Sequence, residues 1–95
     1  MKITLNAFST LRRVIGSKSV ELRLPRNSTV KTLLSSLHNN YGSDYKKETS
    51  RSLYDSLVER YDLFLNKKVL LIPQDLDLIL KDGDEIVILH PSGGG

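Results

Sequence analysis

Val30, Leu33, Leu34, Leu37 and Tyr41 stand at i, i+3, i+4, i+7 and i+11, the spacing that puts all of them on one face of an α-helix. Asn27, Ser28 and Thr29 precede them, and each of these side chains can accept from the orphan N–H groups of a first helical turn. The pattern predicts an amphipathic helix of about three turns, ending between Asn40 and Gly42. One apolar face must be laid on something, and the upstream sequence supplies strands. Ile3, Leu5 and Ala7 alternate within 2–8, and Val20, Leu22 and Leu24 within 19–24 before Pro25. Two strands with their inward faces declared are expected, joined as a hairpin through a long connection with one helical turn closed by Gly16.

Downstream, residues 43–52 are polar and without period, which predicts a mobile surface loop. Leu53, Leu57 and Val58 suggest a short second helix. Residues 61–65 and 68–72 read as strands around Asn66-Lys67, a turn whose second position favours Gly and here carries Lys. Asp82-Gly83 is a turn signal. Residues 85–90 form a strand apolar on both faces, as expected in the middle of a sheet. No repeat or linker breaks this order. Residues 1–91 are expected to form one α+β domain, a mixed sheet with one main helix on one face, followed by a glycine tail at 92–95.

Ninety-five residues suffice for one modest core, and 39% apolar with 26% charged residues describe a globular chain. The absence of cysteine excludes disulfides, thiolate metal sites and a cysteine nucleophile within these residues. Without a long apolar run or a leader pattern, a cytoplasmic location away from membranes is expected. A net charge of +3 permits an acidic partner or nucleic acid and requires neither. Two histidines without acidic companions at ligand spacing give no metal signal, and no set of nucleophile, base and orienting group is present. No catalytic residue, metal or bound cofactor is expected. His38 reads as a half-buried boundary residue of the helix.

The chain closes with His90-Pro91-Ser92-Gly93-Gly94-Gly95. Glycines have nothing to bury and lose the most entropy on ordering. Extended, the stretch from Ser92 reaches roughly 13–14 Å, a thin thread that presents the Gly95 carboxylate to another protein's crevice. Read alone, the glycines favour an inert end, and it is the sequence before them that turns the reading toward a working carboxylate.

These features together resemble the ubiquitin-like β-grasp sulfur carriers. That family includes the small subunit of molybdopterin synthase, the thiamine-pathway carrier and the related small protein modifiers. Phe8, Leu11, Arg12 and Gly16 are similar to its Phe-x-x-Leu-Arg-x-x-x-Gly opening. Thr29-Val30 with Leu33-Leu34 resembles its Thr-Val-x-x-Leu-Leu helix start. Leu65-Asn66 resembles its Val-Asn-Gly turn, with Lys67 in place of Gly. Leu80 to Ile86 is similar to its Leu-x-Asp-Gly-Asp-x-Val stretch. The ending resembles Pro-Pro-x-x-Gly-Gly, with His90 departing at the first proline and Gly94-Gly95 as the diglycine. A register in which Gly95 is a removable extra stays open.

The resemblance implies that this protein is a substrate and carrier, not an enzyme. An E1-like adenylating enzyme, using ATP, would activate the Gly95 carboxylate. Sulfur from a donor protein would then give a thiocarboxylate for tRNA thiolation or molybdopterin synthesis, or a target lysine would accept the acyl group. Gly93, Gly94 and Ser92 would form the tail, and Phe8, Val69, Leu71, His90 and Pro91 a docking surface. The alternative is a β-grasp interaction module with an inert tail, one that would bind RNA through its scattered Arg and Lys residues. No aromatic-rich motif accompanies those cations, so direct contact with nucleic acid is not the leading expectation.

Overall fold

The computed structural model describes residues 1–89. Lys2–Ala7 forms β1, Ser9–Ile15 α1, Ser19–Arg23 β2, Val30–Thr49 α2, Leu53–Glu59 α3, Asp62–Leu65 β3, Lys68–Val69 β4 and Glu85–Leu89 β5. The strands make one mixed sheet in the order β2-β1-β5-β3-β4. β5 is central, parallel to β1 and antiparallel to β3, as its apolar run predicts. This is the expected β-grasp architecture.

Cross-strand register carries the core. Leu5 lies opposite Ile86, Ala7 opposite Ile88, and Leu63 opposite Ile88, all on the face that α2 covers with Val30, Leu33, Leu34 and Leu37. Ile3, Leu5, Ile86, Ile88 and those four helix residues are fully buried. Thr29 caps α2 as expected, its hydroxyl accepting from Thr32 N, with the Thr32 side chain accepting from Thr29 N in return. The connection between β1 and β2 is a full short helix, closed by Gly16 in the left-handed region.

The expected loop at 43–52 is overturned, because α2 continues to Thr49 and ends on Ser50. Tyr45, one turn beyond Tyr41, is buried and extends the apolar stripe, and its hydroxyl lies 3.1 Å from that of Tyr61. Gly42 does not stop the helix. A Cβ there would stand 3.0 Å from His38 Nδ1, so glycine makes room for the imidazole. That nitrogen accepts from Tyr54 N at 3.2 Å, satisfying a first-turn donor of α3.

The expected strand at 68–72 is also too long, since β4 stops at Val69. Leu70 N still donates to Leu63 O at 2.7 Å. Beyond it, Asp75 Oδ2 accepts from Leu71 N at 2.8 Å and Asp75 N donates to Leu71 O at 2.7 Å, which turns the chain into a 3₁₀ turn at Gln74–Asp77. At the β3–β4 turn both Asn66 and Lys67 are left-handed, with φ of 49° and 72°. Lys67 thus sits where glycine is favoured, and the hydrogen bonds of Asn66 hold the turn. Asn66 N donates to Glu85 O, its Oδ1 accepts from Glu85 N, and its Nδ2 donates to Asp84 Oδ1.

Burial raises the Tyr61 phenol above its usual range, and the hydrogen bond with Tyr45 adds to the effect. The folded state therefore favours the neutral phenol. This contribution is intact below about pH 10, where an unfolded tyrosine ionises, and is lost as pH rises toward the folded value. Tyr61→Phe should cost about 1 kcal/mol near neutrality through the lost hydrogen bond. It should also flatten the alkaline fall in stability, as read by urea unfolding on either side of pH ~10.

Candidate functional site

Residues paired across a ladder share a face, so the register that builds the core also defines the opposite surface. Asn6 lies opposite Val87, Val87 opposite Phe64, and Phe64 opposite Val69. This row crosses the sheet on the side turned away from α2. Leu89, opposite Asp62, adds an apolar residue one step nearer the end of the sheet. Phe8 follows Ala7, the partner of Ile88, with extended backbone that continues the alternation of β1. Phe8 is thus at the end of the sheet where the described chain stops. Phe64, Val87 and Leu89 are half-buried, whereas Phe8 and Val69 are 37% and 57% exposed.

The immediate start of α1 after Phe8 places Arg12 one turn on. Arg12 Nε donates to Ala7 O at 2.8 Å, and its guanidinium carbon lies 4.6 Å from the centroid of the Phe8 ring. The stacking holds the ring and sets a positive charge at the margin of the apolar row. The charge and the ring are available together to a partner carrying an acid beside an apolar group.

The expected docking residues divide. Phe8 and Val69 share this face. Leu71 is exposed beyond the end of β4, on the loop bound to Asp75, and is not part of the row. Near it, Val69, Leu65, Leu70 and Leu78 line a shallow hollow of about 330 Å³ with Lys68 and Asp75. His90, Pro91, Ser92, Gly93, Gly94 and Gly95 lie outside the described residues. Phe64, Val87 and Leu89 were not anticipated. Their apolar runs were visible in the sequence, but which members share the outer face required the register. Among the described residues, no cluster of three His, Asp or Glu could hold a metal ion, and no helix is long and apolar enough to cross a membrane.

The model of the ThiS family matches residues 5–95. Small archaeal modifier protein 3 of Haloferax volcanii is 28% identical over the whole of both chains. The crystal structure of SAMP1 from Haloferax volcanii superposes with a TM-score of 0.74 at 20% identity, covering all of both chains. One chain from the protein–protein complex of subunit 1 and 2 of molybdopterin-converting factor from Helicobacter pylori superposes with a TM-score of 0.62 at 20% identity, covering all of this chain and all of that one. The two structural likenesses show the fold.

Proposed function

Because this chain belongs to the ThiS family, we propose that it is an acyl carrier whose Gly95 carboxylate is activated by a partner enzyme. The observation that carries the reading is the apolar row Val69, Phe64, Val87 and Leu89 with Phe8 beside it, at the end of the central strand that leads to Gly93-Gly94-Gly95. A docking face and a threadable carboxylate follow one another along the chain.

The chemistry needs the partner's ATP. A carboxylate resists nucleophiles because its charge repels them and it has no good leaving group. A Gly95 oxygen attacks the α-phosphorus of ATP, the bond to pyrophosphate breaks, and an acyl adenylate forms. Sulfide sulfur then displaces AMP to leave a thiocarboxylate. In the alternative fate, a lysine amine of a target protein displaces AMP, loses a proton and forms an isopeptide bond. Both fates share the adenylate, and in both the acids, bases and metal belong to the partner. The likeness to a modifier protein, 28% identical over the whole chain, supports the second fate.

Intact-mass measurement after incubation with the activating enzyme, ATP and sulfide tests the reading. Replacement of one oxygen by sulfur is expected. An unchanged mass with an enzyme active on its own carrier would refute the sulfur-carrier fate, and no conjugates in cell extract would refute the modifier fate. The face has its own test. Val69→Asp should raise the KM for this chain on the order of tenfold with kcat little changed, and should leave the melting temperature nearly unaltered because Val69 is exposed. An unchanged KM would remove the row from the docking surface.

A further inference from the structure

Among the described residues β2 closes one edge of the sheet and pairs only with β1. The register decides which of its backbone groups are spent. Met1 and Leu24 exchange both hydrogen bonds, at 2.8 and 3.0 Å, and Ala7 N donates to Lys18 O at 3.0 Å. Bonded and non-bonded pairs alternate along an antiparallel ladder. Leu22 and Val20 therefore face β1, while Ser19, Glu21 and Arg23 turn N–H and C=O outward. Ser17 covers the first of these, its hydroxyl donating to Ser19 O at 2.8 Å and accepting from Ser19 N at 3.4 Å. Glu21 and Arg23 each keep an outward donor and acceptor, and no helix or loop among the described residues pairs with them. The opposite edge, β4, offers only Lys68 and Val69, too little for a ladder.

The charges along this edge are mostly of one sign. Lys18 precedes β2, Arg23 ends it and Arg26 follows. Glu21, the one acid on the strand, is already 3.8 Å from Arg23. Just beyond, α2 begins with no acid in its first turn and with Lys31 in it, so its positive end is not offset. Arg26 and Lys81, with Met1, line a hollow of about 480 Å³ at the same end; Asp82, the acid there, accepts from Lys2 N.

We propose that the outer edge of β2 seats an extended acidic segment of a partner protein as an added strand. Main-chain bonds to Glu21 and Arg23 hold it. The partner residue opposite Arg23 shares the face of the guanidinium and is an acid. Its neighbour falls beside Leu22 on the core side and is apolar. Further acids continue toward Arg26. The site is at the far edge from β4, so its occupant and a protein on the Phe64–Val87 row can bind together. This inference does not rest on the proposed carrier function.

The test is titration of the ¹⁵N-labelled full chain with acetyl-Asp-Asp-Asp-Val-Thr-Val-amide, and with the same peptide carrying Lys for each Asp. The acidic peptide is expected to shift and protect the Glu21 and Arg23 amides most, with affinity falling as salt rises. Glu21→Pro removes one outward donor without touching the bonds to β1 and should abolish binding. If that variant does not fold, Arg23→Glu with Arg26→Glu should weaken binding about tenfold. The proposal is overturned if these amides do not move at millimolar peptide, if the shifts fall on Phe64 and Val87 instead, if the Lys peptide binds equally, or if the variants bind undiminished.

Discussion

Removal of Gly94 and Gly95 should reduce ATP–pyrophosphate exchange by the activating enzyme to its carrier-free background, a loss of at least about a thousandfold. The shortened chain still ends in a carboxylate, on Gly93, so the chemistry of the nucleophile is unchanged. Its position is not. Two extended residues span roughly 7 Å, and in-line attack on phosphorus tolerates only a fraction of that displacement. Because neither glycine can contribute to the core, the melting temperature should stay where it is. The shortened chain should also compete with the intact one, since the row from Val69 to Leu89 is untouched. Exchange at the normal rate would refute the carboxylate as the working group. Failure to compete would move the docking energy from the sheet to the tail.

The elements that were legible in the sequence are those whose apolar period is complete within one element. The stripe from Val30 to Leu37 and the alternation in β1 and β2 each report burial without reference to the rest of the chain. The end of α2 was not legible because Tyr45 stands alone among polar neighbours. Only the partner hydroxyl of Tyr61, brought up by the fold, makes its burial worthwhile. The short β4 has a similar cause. Leu71 continues an apolar run, but its N–H goes to Asp75 Oδ2 rather than to a strand. The candidate site was half legible. Phe8 was visible as bulk at the end of the first strand and Val69 as part of the apolar run 69–72, whereas Phe64, Val87 and Leu89 become a surface only once three strands are in register. Arg12 was visible within a motif, and its stacking on Phe8 was not.

Asp84→Ala should lower stability by about 3 kcal/mol, through the lost charge-assisted hydrogen bonds and the donors left without partners. Asp84 is 9% exposed. Its carboxylate accepts from Lys81 N at 2.7 Å and from Asn66 Nδ2 at 2.9 Å, and its backbone oxygen accepts from Thr4 N at 2.9 Å. One residue thereby joins the turn before β5 to the β3–β4 turn and to β1. Alanine keeps the backbone contact and removes both side-chain bonds. In a domain of this size the melting temperature should fall on the order of 15 °C. Asp84→Asn keeps an acceptor and should recover part of the loss. Asn66→Ala should cost less, about 2 kcal/mol, and the double variant should fall short of the sum by about 1 kcal/mol because the two share a bond. Among the described residues no buried side-chain polar atom lacks a partner, so the loss of this carboxylate breaks an otherwise fully paired set. Urea unfolding of the four proteins checks the cycle. A loss below about 1 kcal/mol for Asp84→Ala, the size of a single ordinary hydrogen bond, would mean that the turn is held by its backbone alone.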